Sequence, residues 1–316
     1  MDEQKDLLPE EKETTEKRRP ILSKRMYYAL LMIFAGVFLL SALYVGNYFH
    51  EVGNAQQDYD NLEDLYLQGL TQPTTIVPPI SSLPTGIPGT NPTTPTEPTI
   101  LSSLQAIYAL NNDTVGYLYF PDGVGISYPV MQSPYDEDFY LTHKFDKTPN
   151  GDVAIGCPYI PLRCDVFAPS DNVIIAGHYL KSGGMFAPLH QYQDRSFWEK
   201  HQTFSFDTLY EQHTYQIFAV FKTVERQYLE DGTPYGYPFH TKVNFSNEEE
   251  FNQFVSEVKG SAFEEGGYTG YVYYDTDITP QYGDKLLTLY TCEYGSRDPY
   301  TNEFDGRLVV VAVRID

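Results

Sequence analysis

Twenty-one consecutive residues, Met26 to Gly46, carry no charge and read MYYALLMIFAGVFLLSALYVG. At 1.5 Å per residue a helix of that length spans roughly 31 Å, the hydrocarbon thickness of a bilayer. No other stretch of the chain constrains its own conformation so tightly. In lipid every backbone amide and carbonyl must be satisfied internally, which a lone span achieves only as a helix. Lys17, Arg18, Arg19, Lys24 and Arg25 precede the run, and basic residues are scarce for a long way after it. The positive-inside rule therefore predicts a cytoplasmic tail over residues 1–25, a single transmembrane anchor over 26–49 and an extracellular remainder. A cleaved signal peptide is the competing assignment, but its apolar core would be shorter, and no clear small-x-small site follows this one.

Past the anchor the composition changes twice. Residues 50–70 form a juxtamembrane segment in which Leu62, Leu65 and Tyr66 are loosely periodic, as in a short helix. Residues 71–99 are dominated by Pro and Thr, a mixture that buries little and stays extended, so they are expected to be a stalk. From residue 100 to 316 the pattern is that of one extracellular globular domain. The chain holds 21 Lys+Arg against 43 Asp+Glu, a formal charge of -22. The first 25 residues carry seven of each sign, so all of that excess lies beyond them. This balance argues against nucleic-acid binding, which needs basic patches to displace counterions.

Short β-rich runs recur through the domain at Val115–Phe120, Gly125–Met131, Asp152–Gly156, Asn172–Ala176, Thr203–Asp207, Thr214–Thr223, Lys285–Thr291 and Arg307–Ile315. About eight strands separated by turn-rich segments predict a mostly β fold, a closed barrel or a sandwich. Leu101, Leu104 and Ile107 predict a short helix before them. Ser246 with Glu249 makes a capping box, and Phe251, Phe254, Val255 and Val258 form one stripe, so a second helix is expected over 247–259.

Three cysteines are present: Cys157, Cys164 and Cys292. An odd count in an extracellular domain leaves one thiol without a disulfide partner. Cys157 and Cys164 flank Pro158 and Pro161, and they either pair across a folded-back loop or remain as two buried thiols. Neither they nor any His pair has the spacing of a zinc site, so no metal is expected. Cys292 ends an apolar strand in which Thr288, Tyr290 and Cys292 alternate with Leu287 and Leu289, so its side chain is expected to point away from the core. Arg307 opens the next apolar strand, and an ordinary hairpin sets its guanidinium beside the thiol. His178 ends the run Asn172–Ala176 through Gly177, and it supplies the acid or base that thiol chemistry needs. The other histidines, at 50, 143, 190, 201, 213 and 240, lack such a setting and read as surface or packing residues.

These residues resemble the class B sortases. Thr288-Leu289-Tyr290-Thr291-Cys292 is similar to the family's T-L-x-T-C motif, with Arg307 downstream and Gly177-His178 upstream. Tyr128-Pro129-Val130-Met131-Gln132 and Gly184-Met185-Phe186-Ala187-Pro188-Leu189 resemble further class B stretches. The likeness covers about residues 100–316. It implies a closed eight-stranded sortase-type β-barrel with a few peripheral helices, and a cysteine transpeptidase without metal or cofactor. It also implies that Cys292 attacks a C-terminal sorting signal of a secreted protein, forming a thioester. His178 would shuttle protons, and Arg307 with the Glu293 backbone amide would hold the oxyanion, Thr291 standing at the groove wall. The implied acceptor is a peptidoglycan amine of a Gram-positive cell wall, or a pilin lysine if the enzyme polymerises pili. A non-catalytic surface module on a stalk and a peptidase that only hydrolyses are the readings outside that activity. Tyr290 and Tyr179 stand where sortases often have Ser and class B members often have Asn, which adds bulk to the expected substrate groove.

Overall fold

The computed structural model describes residues 23–72, 98–151, 153–224, 227–228, 231–232, 234–260, 271–272, 277–294 and 306–316. The expected cytoplasmic tail (apart from its last three residues) and nearly all of the expected Pro/Thr stalk lie outside that set. The chain divides into two compact units, Met1–Phe49 and His50–Asp316.

Helix α1 (Lys24–Leu70) is 47 residues long, and one 18-residue window has a mean hydropathy of 2.3. In the first unit its apolar side chains, including Phe34, Phe38, Leu40 and Leu43, are exposed. This stretch is long and apolar enough to cross a membrane. In the second unit the same helix changes character. Ala55, Tyr59, Leu62, Tyr66 and Gly69 are buried at alternating spacings of four and three, the signature of one helical face packed on a core. Tyr66 stacks on Tyr117 with ring centroids 3.9 Å apart, and its hydroxyl donates to Asp207 at 2.9 Å. The segment expected to be merely juxtamembrane is thus a packed part of the compact unit that begins at His50.

The rest of that unit runs α2 (Ser102–Leu110), β1 (Thr114–Tyr119), β2 (Ser127–Met131), α3 (Phe139–Thr142), β3 (Asn172–Ala176), a 3-10 turn (Ala187–Gln193) and α4 (Arg195–Trp198). There follow β4 (Thr203–Thr208), β5 (Thr214–Val224), β6 (Gln227–Tyr228), β7 (Pro234–Tyr235), a 3-10 turn (Phe239–Thr241), α5 (Glu248–Val258), β8 (Tyr271–Val272), β9 (Leu286–Glu293) and β10 (Gly306–Arg314). The main sheet follows the order β2-β1-β4-β5-β10-β9-β3, with β8 attached to β5. Neighbours on the path are antiparallel except β3 and β9, which are parallel.

The mostly β expectation holds, but the closed eight-stranded barrel does not: the sheet is open between β2 and β3. Between these edges Tyr159 makes one bridge to Met131 and one to Ala176. Pro158 and Pro161 bracket it, and a residue without an amide hydrogen cannot extend a ladder, so the bridge does not grow into a closing strand. The run expected as a strand at Asp152–Gly156 fails for a related reason. Its described residues turn back on themselves: the Ile155 amide donates to the Val153 carbonyl at 2.8 Å, and Gly156 has φ +58°.

One apolar core cluster lies between the sheet and α5, where Phe251, Phe254, Val255 and Val258 meet Phe218, Phe221, Val309 and Val311. The helix starts one residue later than its expected cap. Asn247, rather than Ser246, is the N-cap and accepts from the Glu250 amide at 3.0 Å, while the Glu250 carboxylate accepts from the Ser246 amide at 2.9 Å. Asn caps at least as well as Ser, and the shift places Glu248, Glu249 and Glu250 together at the positive end of the helix dipole.

Candidate active site

β9 and β10 pair in a register that sets Cys292 opposite Arg307, Tyr290 opposite Val309 and Glu293 opposite Gly306. On the other side of β9, β3 runs parallel as far as Ala176, opposite Tyr290, and the Gly177 amide donates to the Tyr290 carbonyl at 3.1 Å. His178 follows directly, leaving the sheet beside the end of β9. The thiol therefore sits between a strand partner that supplies a guanidinium and a strand end that supplies an imidazole. Cys292, His178 and Arg307 are all partly exposed.

His178 is held by its surroundings. Its Nε2 lies 2.6 Å from the Leu141 carbonyl. A carbonyl can only accept, so this bond puts the proton on Nε2 and leaves Nδ1 as the basic nitrogen. The ring rests on Gly156, where a Cβ would come within 2.8 Å of Cδ2. Arg307 turns its Nη1 back to the Gly306 carbonyl at 3.1 Å.

The expectation that Cys292 faces away from the core needs correction. Both faces of β9 are covered: Leu286, Leu287, Thr288 and Leu289 are all buried, and Tyr290 on the face of Cys292 packs 5.1 Å from Phe239. Cys292 is reachable because it lies one step beyond that cover. The other two thiols differ in kind. Cys157 and Cys164 are free and buried, so the disulfide alternative is not formed. Burial pushes the Cys157 thiol up to about 12 and the Cys164 thiol up to about 11.

The remaining expected groove residues are divided between the two faces. Thr291 is buried on the face opposite Cys292, and its hydroxyl has no hydrogen-bond partner among the described residues, so its side chain is not at an open wall. The Glu293 side chain is buried on that same inner face, 3.4 Å from Lys222 Nζ. The space left by Gly306 permits this approach, since a Cβ there would lie 2.8 Å from the Glu293 carbonyl oxygen. Because the Tyr290 carbonyl faces β3, alternation turns the Glu293 amide toward β10 and Gly306. Tyr290 reaches Tyr159, whose phenol is held far above its usual range, first by burial and then by Tyr290 and Asp138. Tyr179 does stand by the site, with its ring 4.5 Å from His190 and 5.6 Å from Tyr294.

Two neighbours of the thiol were not among the expected site residues. Tyr294 lies beside the Cys292 thiol, and its phenol is raised first by burial and then by that cysteine. Strand alternation signals it, since it lies two residues beyond Cys292 on the same face. His190 Nε2 lies 3.1 Å from the Cys292 carbonyl. No local pattern marks this histidine, which arrives through the buried anchors Leu189 and Tyr192 of its 3-10 turn.

Comparison with known proteins points to one family. The family description "Sortase domain" matches residues 161–315. Sortase B of Staphylococcus aureus is 27% identical over 208 residues, covering 66% of this chain and 72% of that protein. Sortase B of Listeria monocytogenes is 26% identical over 265 residues, covering 84% of this chain and 89% of that one. The solved structure of a Staphylococcus aureus sortase B–substrate complex superposes with a TM-score of 0.54 at 26% identity, covering 69% of this chain and 87% of that one.

Proposed function

The chain belongs to the sortase family, in its class B branch, and is a cysteine transpeptidase; from that premise we propose that it anchors secreted proteins to the cell wall. In this reading Cys292 cleaves a C-terminal sorting signal and passes the acyl fragment to a peptidoglycan amine. The observation that carries it is the placement of Cys292 between Arg307, its cross-strand partner, and His178, just past the end of β3.

The steps follow from those positions. The Cys292 thiol gives its proton to Nδ1 of His178, the thiolate adds to the scissile carbonyl, and the resulting oxyanion draws on the Arg307 guanidinium, whose fork of donors stays charged throughout. The tetrahedral adduct collapses to a thioester as His178 gives a proton to the departing amine. An incoming amine then attacks the thioester, His178 takes its proton, and Cys292 is expelled as the thiolate, which regains its proton from His178. The Leu141 carbonyl serves both stages by keeping the exchangeable proton position on Nδ1. The Glu293 amide joins the oxyanion site only if it turns from Gly306, so Arg307 is the principal donor. Tyr179 and Tyr294 form the aromatic side of the groove.

The apolar part of α1 acts in this reading as the anchor, with residues 1–25 cytoplasmic and the catalytic unit outside. Residues 71–99 act as a stalk, and tethering raises the local concentration of substrates emerging from the same membrane. The test is to incubate the full chain in detergent micelles with a library of sorting-signal peptides and candidate amines. The wild type is expected to give a thioester and then a ligated product, and Cys292→Ala neither. Absence of both from the wild type across the library refutes the reading, and hydrolysis without ligation at saturating amine converts it to a peptidase.

A further inference from the structure

β3 ends at Ala176, and its final hydrogen bond to β9 is made by the Gly177 amide to the Tyr290 carbonyl. In a parallel ladder the next carbonyl on that side belongs to the residue two positions on, Cys292. Had the strand continued, a backbone amide would have met it. That acceptor is met instead by His190 Nε2, 3.1 Å away.

The imidazole is set up for this one task. The carbonyl accepts only, so the proton belongs on Nε2. The Gln193 side-chain nitrogen, 3.3 Å from Nδ1, donates only, and therefore selects the same tautomer. Desolvation holds the ring below the usual histidine range, so it is neutral at pH 7, although the Cys292 carbonyl and Glu293 pull the other way. Leu189 and Tyr192, both fully buried, anchor the 3-10 turn that carries it.

We propose that His190 is a positioning residue for transpeptidation: its Nε2–H replaces the strand that β3 does not supply, fixes the backbone of Cys292, and so lets His178 leave the sheet beside the thiol. This rests on the reading of Cys292 as nucleophile. His190 touches no reacting atom and works through the Cys292 carbonyl. Loosening that carbonyl would let Sγ drift relative to His178 and Arg307. Attack on a peptide carbonyl is sensitive to such drift, a displacement of about 1 Å costing on the order of 100-fold. Alkylation by a small reagent needs no third group and tolerates it.

The test compares the full chain in detergent as wild type, His190→Ala, His190→Gln, Gln193→Leu and Cys292→Ala. Three readouts are needed: acyl-enzyme formation from a sorting-signal peptide by rapid-quench mass spectrometry, alkylation of Cys292 by iodoacetamide, and the melting temperature. His190→Ala is expected to acylate at least about 10-fold more slowly while alkylating within about two-fold of wild type. His190→Gln, which still presents an N–H, should recover most of the acylation rate. Gln193→Leu, which removes the tautomer lock and leaves the Cys292 contact in place, should show a smaller loss of the same kind. Wild-type acylation in His190→Ala overturns the proposal, as does a parallel fall of acylation and alkylation, or a Gln variant as impaired as Ala. A wild type that alkylates at Cys292 yet never acylates overturns the underlying reading instead.

Discussion

Arg307 lies directly across the β9–β10 ladder from Cys292, on the same face of the sheet. In the proposed reaction this guanidinium stabilises the oxyanion that forms when the thiol adds to a carbonyl. Arg307→Ala is expected to lower kcat for peptide cleavage by about 100- to 1000-fold, as removal of an oxyanion donor does. Arg307→Lys keeps the charge but loses the planar fork, and should fall between. Steady-state kinetics separates the roles: a fall in kcat at steady KM marks oxyanion stabilisation, whereas a raised KM with kcat intact marks substrate positioning.

The three cysteines should respond differently to alkylating reagents. In the folded protein at pH 7 to 8, iodoacetamide is expected to modify Cys292 alone, with Cys157 and Cys164 labelled only after denaturation. The buried pair also makes stability depend on alkaline pH. The folded thiol of Cys157 stands at about 12 against 9.0 for a solvent-exposed thiol, so the unfolded chain loses its proton first. The contribution is full below pH 9 and is lost as pH rises toward 12. Urea midpoints measured from pH 8 to 10.5 should fall, and less steeply in Cys157→Ala relative to that variant's own value at pH 8.

What the chain's sequence discloses depends on how local the cause is. The apolar run of Met26–Gly46 and the strand Asn172–Ala176 are periodic or compositional features, and they are found where expected. The pairing of Cys292 with Arg307 is also legible, since two adjacent apolar strands of this kind form an antiparallel pair. His190 is not, because its contact with Cys292 depends on where β3 stops, a tertiary event 14 residues upstream in sequence. The face of Thr291 follows from alternation, but its burial is set by the tertiary packing against that face of the sheet. The open sheet edge is likewise tertiary: it turns on a one-residue bridge at Tyr159 between two prolines.

The packed half of α1 makes its own prediction. Tyr66 stacks on Tyr117, and its hydroxyl meets the carboxylate of Asp207, which burial raises above the usual range. Tyr66→Phe leaves the stack and removes the hydroxyl, and should cost about 1 to 3 kcal/mol. Tyr66→Ala empties a fully buried ring site and should cost about 3 to 5 kcal/mol. Chemical denaturation checks both. Loss of stability in neither variant would mean that residues 50–70 do not contribute to the folded unit.

Gly156 connects the helix to the catalytic histidine proposed here. Its carbonyl accepts from the Tyr59 hydroxyl of α1 at 2.6 Å, and its amide donates to the Asn150 side chain at 2.9 Å. Its φ of +58° disfavours any residue with a side chain, and a Cβ would lie 2.6 Å from the Tyr140 carbonyl and 2.8 Å from Cδ2 of His178. The Tyr140 contact is a backbone carbonyl within α3, so the imidazole is the part that can yield. Gly156→Ala should therefore displace His178 from the Leu141 carbonyl and release the tautomer that keeps Nδ1 basic. Transpeptidation is expected to fall at least about 10-fold, within the range by which a general acid–base group contributes. The pH–rate profile should change as well, because the imidazole no longer has its fixed hydrogen-bond partner at the Leu141 carbonyl. A variant with wild-type rate and profile would show that His178 does not depend on the Gly156 platform, whatever the variant's stability.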